Sequence, residues 1–142
     1  DSRGMVVGVN TAIIAMAQGI GFSIPANTAR WVITQLLTSG RVRRVYLGIT
    51  GFNRELNRRF VRFHDLNSDF AVEVVDVEKN SPAREAGLRV GDLVVGLNGD
   101  EVSTIDDIHH LLAQWPPGKE LTLRVIREGE KKEMSIVPSE AA

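Results

Sequence analysis

The sequence predicts a mixed α/β (α+β) chain in two unequal parts, and three observations carry that expectation. An apolar opening stretch places Val6, Val7, Val9, Ile13 and Ile14 in a pattern that suits a buried strand. Ala29, Val32, Ile33, Leu36 and Leu37 then recur at helical spacing. From Tyr46 onward short strand and helix patterns alternate, separated by turn residues such as Asn98–Gly99 and Pro116–Pro117–Gly118. At 142 residues, 43% hydrophobic and 25% charged, the chain has the size of one ordinary domain with an appendage and can bury a core without staples. A net charge of −1 gives no global pull toward nucleic acid, and the absence of cysteine excludes thiolate zinc sites, iron–sulfur clusters, a Cys nucleophile and disulfides.

The elements follow in order. Residues 5–14 and 19–24 read as two strands, apolar on both faces and so expected to be covered on both, around a turn near Gln18–Gly21. The 26 uncharged residues between Arg3 and Arg30 are long enough to span a bilayer, but Asn10, Gln18, Gly19, Gly21 and Pro25 break the run, so no membrane span is expected. A secretory signal is also not expected, since the run lacks a basic head. The following helix has Asn27 as its N-cap and Gly40 as its stop, with Arg41, Arg43 and Arg44 near its negative end. Tyr46–Phe52 reads as a strand. Asn53–Phe63 reads as a helix burying Leu56, Phe60 and Phe63, with Arg54, Arg58 and Arg62 on a solvent face and Glu55–Arg59 as an i,i+4 pair. Phe70–Val77 alternates as a strand. Ser81–Gly87 is a short helix with Ser81 as cap, Pro82 at its first position and Gly87 as terminator. Asp92–Leu97 is a strand entering the Asn98–Gly99 turn, Thr104–Gln114 an amphipathic helix, and Glu120–Arg127 with Lys131–Val137 a closing hairpin.

No catalytic apparatus is recognisable. His109 and His110 are adjacent on a helix and diverge by about 100°, which does not suit a shared metal, and His64 stands far from them in sequence. Neither HExxH nor Gly-x-Ser-x-Gly occurs, and Asp106 and Asp107 read as an acidic first helical turn. No metal or other cofactor is expected.

The informative stretch is Ser81-Pro82-Ala83-Arg84-Glu85-Ala86-Gly87-Leu88-Arg89-Val90-Gly91-Asp92-Leu93-Val94-Val95-Gly96-Leu97-Asn98-Gly99. It resembles the core pattern of PDZ domains at every position that pattern fixes. The resemblance implies a module that adds peptide C-termini as a strand at a sheet edge and holds the terminal carboxylate on backbone N–H groups. Tyr46-Leu47-Gly48-Ile49 is similar to the carboxylate loop of the HtrA group, where a glycine lets the N–H groups converge. On that likeness Tyr46, Leu47, Gly48 and Ile49 form the loop, and Ile49, Thr50 and Phe52 lie on the pairing edge. Ile108 and Leu112 wall a pocket for an apolar last side chain.

The first 45 residues resemble another part of the same group. Asp1-Ser2-Arg3-Gly4-Met5-Val6-Val7-Gly8-Val9-Asn10-Thr11-Ala12 is similar to the segment after the active-site serine of HtrA/DegP-type trypsin-fold proteases. Gly19-Ile20-Gly21-Phe22-Ser23-Ile24-Pro25 resembles the strand beside their specificity pocket, with Ser23 where Ala is usual. The resemblance implies residues 1–45 as the end of a trypsin-like β-barrel with a linker helix, and 46–142 as the PDZ domain. The catalytic His, Asp and Ser would lie upstream, so the chain is expected to bind peptides and cleave none. It also implies a periplasmic or cell-envelope setting and a parent serine endopeptidase in protein quality control. Without the barrel that would cover them, residues 1–25 expose apolar edges and are expected either to pair with another copy or to stay mobile. Two alternatives stay open: a stand-alone PDZ adaptor, and nucleic-acid binding through the seven arginines of residues 41–62, which stand beside one acid, Glu55. The aromatics in that stretch suit packing better than base stacking, so nucleic acid is not the expected partner.

Overall fold

The structure, a computed structural model, describes residues 1–13, 21–42 and 44–140. The chain divides into two compact units, Asp1–Arg43 and Arg44–Ala142.

In the first unit, strands β1 (Gly8–Ile13) and β2 (Gly21–Pro25) pair antiparallel, followed by helix α1 (Ala26–Ser39). The turn expected near Gln18–Gly21 lies outside the described residues except for Gly21. Gly40 ends α1 as expected, at φ 70° with its N–H on the Leu36 carbonyl. Asn27 does not cap the helix. Pro25 holds the cap position and helical backbone begins at Ala26, which places Asn27 inside the first turn. The expectation that both strands would be covered on both faces is also corrected: Val6, Val7, Val9, Phe22 and Ile24 are exposed, and α1 buries no residue. Three short elements do not enclose enough volume to bury a face each.

The second unit is built on a sheet in the order β4–β5–β6–β8–β9 (β4 Ile49–Glu55, β5 Phe70–Val77, β6 Leu93–Leu97, β8 Leu121–Arg127, β9 Glu130–Ile136), with the short β7 (Asp100–Glu101) beside β6. Helix α2 (Arg58–Phe63) lies in the β4–β5 connection, α3 (Pro82–Glu85) between β5 and β6, and α4 (Ile105–Ala113) between β7 and β8. One face of the sheet packs Val72, Val74, Val94, Leu97, Leu123 and Val125 against Ala83 of α3 and Ile108 and Leu112 of α4. The other packs Ala71, Leu93, Val95 and Ile126 with Leu56 under Phe60 and Val61 of α2. Every residue of β6 is buried, as its unbroken apolar run requires of a central strand.

Local chemistry accounts for most boundaries. The Ser81 hydroxyl accepts the Arg84 N–H at the start of α3, and Pro82 follows at the first turn. Both hairpin tips, Asn98–Gly99 and Glu128–Gly129, have two consecutive positive φ values, the backbone a two-residue turn needs to match strand twist. At α4 the Thr104 hydroxyl accepts the Asp107 N–H while the Asp107 carboxylate accepts the N–H groups of Ser103 and Thr104, a closed capping box. Those hydrogen bonds hold the Asp107 carboxyl below its ordinary range, led by the one from Ser103.

Three expectations for this unit are corrected. Tyr46–Phe52 is interrupted: β3 (Val45–Tyr46) ends at Leu47–Gly48 and β4 begins at Ile49. The helix expected over Asn53–Phe63 is shorter, because ladder pairing with β5 keeps the chain extended to Glu55 and Asn57, not an earlier residue, caps α2 through the Phe60 N–H. Glu55 thus lies in a strand and Arg59 in a helix, so their expected i,i+4 geometry is lost. Arg54 pairs with Glu73 of β5 at 2.8 Å. Phe63, expected inside, is 78% exposed because α2 stops after six residues and turns only Phe60 and Val61 inward. The sequence reading also missed β10 (Ser139–Glu140), which pairs with β3.

His64, just past the end of α2, is 5% exposed and packs against the rings of Phe60 and Phe63 at 4.4 and 4.9 Å. Burial, and secondarily the charge of Lys131, push its pKa below the ordinary 6.5. The unfolded chain therefore takes up this proton first. The stability that neutral His64 supplies is present above 6.5 and is lost as pH falls through the lower folded value. Urea midpoints are expected to drop from about pH 7.5 to about pH 5. His64→Leu should flatten that drop, and equal slopes for the two proteins would contradict the assignment.

Candidate functional site

The candidate site begins at the two residues that separate β3 from β4. Among the described residues β4 pairs only with β5, so its other edge presents unpaired backbone groups. Ahead of that edge the chain turns at Gly48, φ 78°, in the left-handed region. The turn is held by its carbonyls. Leu47 C=O accepts the Ala83 N–H at 2.9 Å, and Gly48 C=O accepts the Glu78 N–H at 2.9 Å. The buried Ser81 hydroxyl sits against Gly48, 3.5 Å from its carbonyl oxygen. Among the described residues the amides of Leu47 and Gly48 donate to no backbone carbonyl. Anchored carbonyls next to amides without a backbone acceptor are an arrangement that can take up an anion.

Residues of β4 alternate between the two faces of the sheet. Ile49 packs on the core that contains α4, and the Asn53 amide oxygen accepts the N–H of Ile105, the first residue of α4, at 2.8 Å. Ile49, Gly51 and Asn53 thus share the α4 face. Thr50 and Phe52 belong to the opposite face, where Phe52 stands across from Glu73 of β5, and their main-chain groups are turned toward β5, which leaves those of Ile49 and Asn53 toward the free edge. Tyr46 is half-buried beside Gly48, and Leu47 is buried in the core.

Ile108 and Leu112 lie on α4 behind this edge, 2% and 6% exposed, and form the floor of the α4 face within the core. Ile105 and Leu111, half-buried against the same core, are the more accessible apolar groups of the helix. Sequence reasoning missed Ile105 and Asn53. Ile105 was legible as the first apolar residue after a Thr cap; the Asn53 bond, which spans 52 residues, left no local signal.

Among the described residues no group of three His, Asp or Glu side chains is placed to hold a metal ion. Asp106 and Asp107 diverge as expected, the first exposed and the second spent on the cap. No described helix is long and apolar enough to cross a membrane.

Residues 45–137 match the PDZ domain family. The chain is 36% identical over 137 residues to a probable periplasmic serine endoprotease, DegP-like, of Chlamydia trachomatis, an alignment covering 94% of this chain and 27% of that protein. It is 33% identical over 137 residues to the periplasmic serine endoprotease DegP of Escherichia coli, covering 94% and 28%. The chain thus spans little more than a quarter of the length of these curated relatives. The solved structure of the HtrA-type protease AlgW with a tripeptide superposes with a TM-score of 0.81 at 28% identity, over 100% of this chain and 48% of that one. The serine endoprotease from Yersinia pestis superposes at 0.71 and 28% identity, over 98% of this chain and 44% of that one. With a family match over most of its length and the edge, turn and helix described above, this chain belongs to the PDZ domain family.

Proposed function

We propose that the chain captures the C-terminal segments of polypeptides by strand addition along the free edge of β4, as the recognition module of an HtrA-like periplasmic serine endopeptidase. The observation that carries this reading is the Leu47–Gly48 turn, whose carbonyls are anchored and whose amides are not, at the head of an unpaired edge. Leu47, Gly48 and Ile49 receive the terminal carboxylate on main-chain N–H groups, and Tyr46 lines the turn. Along Ile49–Phe52 the incoming strand pairs with the main-chain groups turned away from β5, those of Ile49 first, while Thr50 and Phe52 line the edge with their side chains. Ile108 and Leu112 form the floor under the last side chain, and Ile105 adds an apolar wall. An all-aliphatic lining favours an apolar last residue.

The domain assignment is part of the same reading. Residues 1–45 are the end of a trypsin-like protease domain with its linker helix, and 46–142 the PDZ domain. The exposed apolar residues of β1 and β2 are then the inner surface of a barrel, which in isolation draws a second copy or the parent protease domain. Substrate capture and regulation are assigned to the described residues, and peptide-bond hydrolysis to the parent. Partners are unfolded or C-terminal peptide segments, and the proteases with bound peptides among the structural relatives support that choice.

Titration with a peptide ending in Val, as free acid and as C-terminal amide, tests the proposal. The free acid is expected to bind at least tenfold more tightly, since a charge-assisted set of N–H bonds is worth about 1.5–3 kcal/mol. Equal affinities would remove the carboxylate from the mechanism. Ile105→Ser is the better pocket variant, because truncating Ile108 or Leu112 in the core costs about 2–5 kcal/mol and confounds binding with folding.

A further inference from the structure

Residues 54–62 hold four arginines, of which Arg54 is engaged by Glu73. The other three, Arg58, Arg59 and Arg62, lie on α2, are exposed, and make no ion pair among the described residues. Isolated surface charges need no explanation, but these stand at one particular place. A peptide seated with its terminal carboxylate at Leu47–Gly48 runs antiparallel to β4, so its chain, traced back from the C-terminus, follows β4 from Ile49 toward Glu55. β4 is seven residues long, and the chain turns into α2 three residues after Glu55. Upstream residues of a longer peptide therefore leave the edge at the end from which the chain continues into α2, the helix that carries these three guanidinium groups. The acids nearest in sequence are Glu55 at the end of β4 and Asp65 after α2, which leaves this stretch with an excess of positive charge. The strand edge itself does not share that excess, since the facing helix α4 carries Asp106 and Asp107 in its first turn.

We propose that α2 is a second, electrostatic subsite of the same groove: Arg58, Arg59 and Arg62 select polypeptides with aspartate or glutamate just upstream of the last seven or so residues. The inference rests on the peptide-capture reading and adds a substrate class to it, apolar at the terminus and acidic further back. Each exposed pair contributes modestly, and three together give a preference on the order of tenfold at low salt. The preference fades as ionic strength rises, because the groups are solvated.

The test uses the full chain and three peptides of about fourteen residues that share their last seven and carry Glu, Ser or Lys in the upstream half. A seven-residue peptide with the common end is the reference. The Glu peptide is expected to bind on the order of tenfold more tightly than the Lys peptide at low salt, with Ser between them and the difference mostly lost at high salt. The triple substitution R58Q/R59Q/R62Q should erase the ordering and leave the affinity of the seven-residue peptide alone. If the seven-residue peptide binds but the three long peptides bind equally, or if the triple variant keeps their ordering, the subsite is wrong and the capture reading stands. If the seven-residue peptide also fails to bind, both fall together.

Discussion

Gly48→Ala is expected to destabilise the second unit by about 2–5 kcal/mol and to abolish discrimination between free and amidated peptide ends. Two costs add. The backbone at φ 78° is one that an L side chain adopts at a penalty of about 1–2 kcal/mol. The added methyl group would also lie 2.2 Å from the Ser81 Cβ and 2.8 Å from its Oγ. Ser81 cannot step aside cheaply. Its hydroxyl donates to the Glu78 carbonyl at 2.8 Å and accepts the Arg84 N–H that starts α3. Gly129→Ala is the matched control, since Gly129 has φ 79° with nothing within 4 Å of an added Cβ, and it sits at the tip of the β8–β9 hairpin. The control should pay only the conformational cost and keep the discrimination. Urea midpoints and peptide titrations on both variants measure the difference. If Gly48→Ala behaved like the control in both, contact with Ser81 would not be what fixes the turn.

The same neighbourhood explains which parts of the molecule could be read in advance. Ser81, Pro82 and Gly87 act within a few residues of themselves, so α3 is written locally, and Asn98–Gly99 marks its hairpin for the same reason. The stretch Asn53–Phe63 misleads because Leu56, Phe60 and Phe63 are spaced as a helix spaces its buried face. Pairing of Asn53, Arg54 and Glu55 with Val72, Ala71 and Phe70 overrides that spacing, and a bond to a partner some 15–19 residues away leaves no periodic trace. Strand β10 is invisible for a similar reason, since Ser139 and Glu140 carry no pattern and gain their conformation from Tyr46 and Val45. At the site, the glycine of the turn was legible because its conformation is its own. The face that Phe52 takes was not, because it depends on where β4 begins.

Arg127→Met is expected to cost about 3–5 kcal/mol, a large share of the stability of a domain this size. Arg127 closes β8 with Nε on Asp92 Oδ1 and Nη2 on Oδ2, both at 2.7 Å, and Asp92 is 1% exposed. The same Nη2 reaches the Gly87 carbonyl at 2.8 Å, and Asp92 Oδ2 also accepts the Arg89 N–H. Removing the guanidinium leaves a buried carboxylate with no countercharge, which is the expensive half of a broken pair. Asp92→Asn keeps an acceptor for Arg89 and removes the charge, so the double variant D92N/R127M should be more stable than R127M alone. That reversal would not follow if Arg127 acted only through packing. The loss should also reach the binding turn. The Gly87–Arg89 segment held by Arg127 and Asp92 follows α3, Leu88 N–H bonds the Ala83 carbonyl, and Ala83 N–H bonds the Leu47 carbonyl, each at 2.9 Å. Loosening the clamp therefore lowers the free energy of opening the contact that keeps the Leu47–Gly48 amides aimed at a ligand. Hydrogen exchange on R127M, under conditions where it stays folded, should show the Ala83 amide exchanging faster relative to Val125 in the sheet core than in the unsubstituted chain. Uniform acceleration of both would mean that the ion pair supports global stability without holding the site.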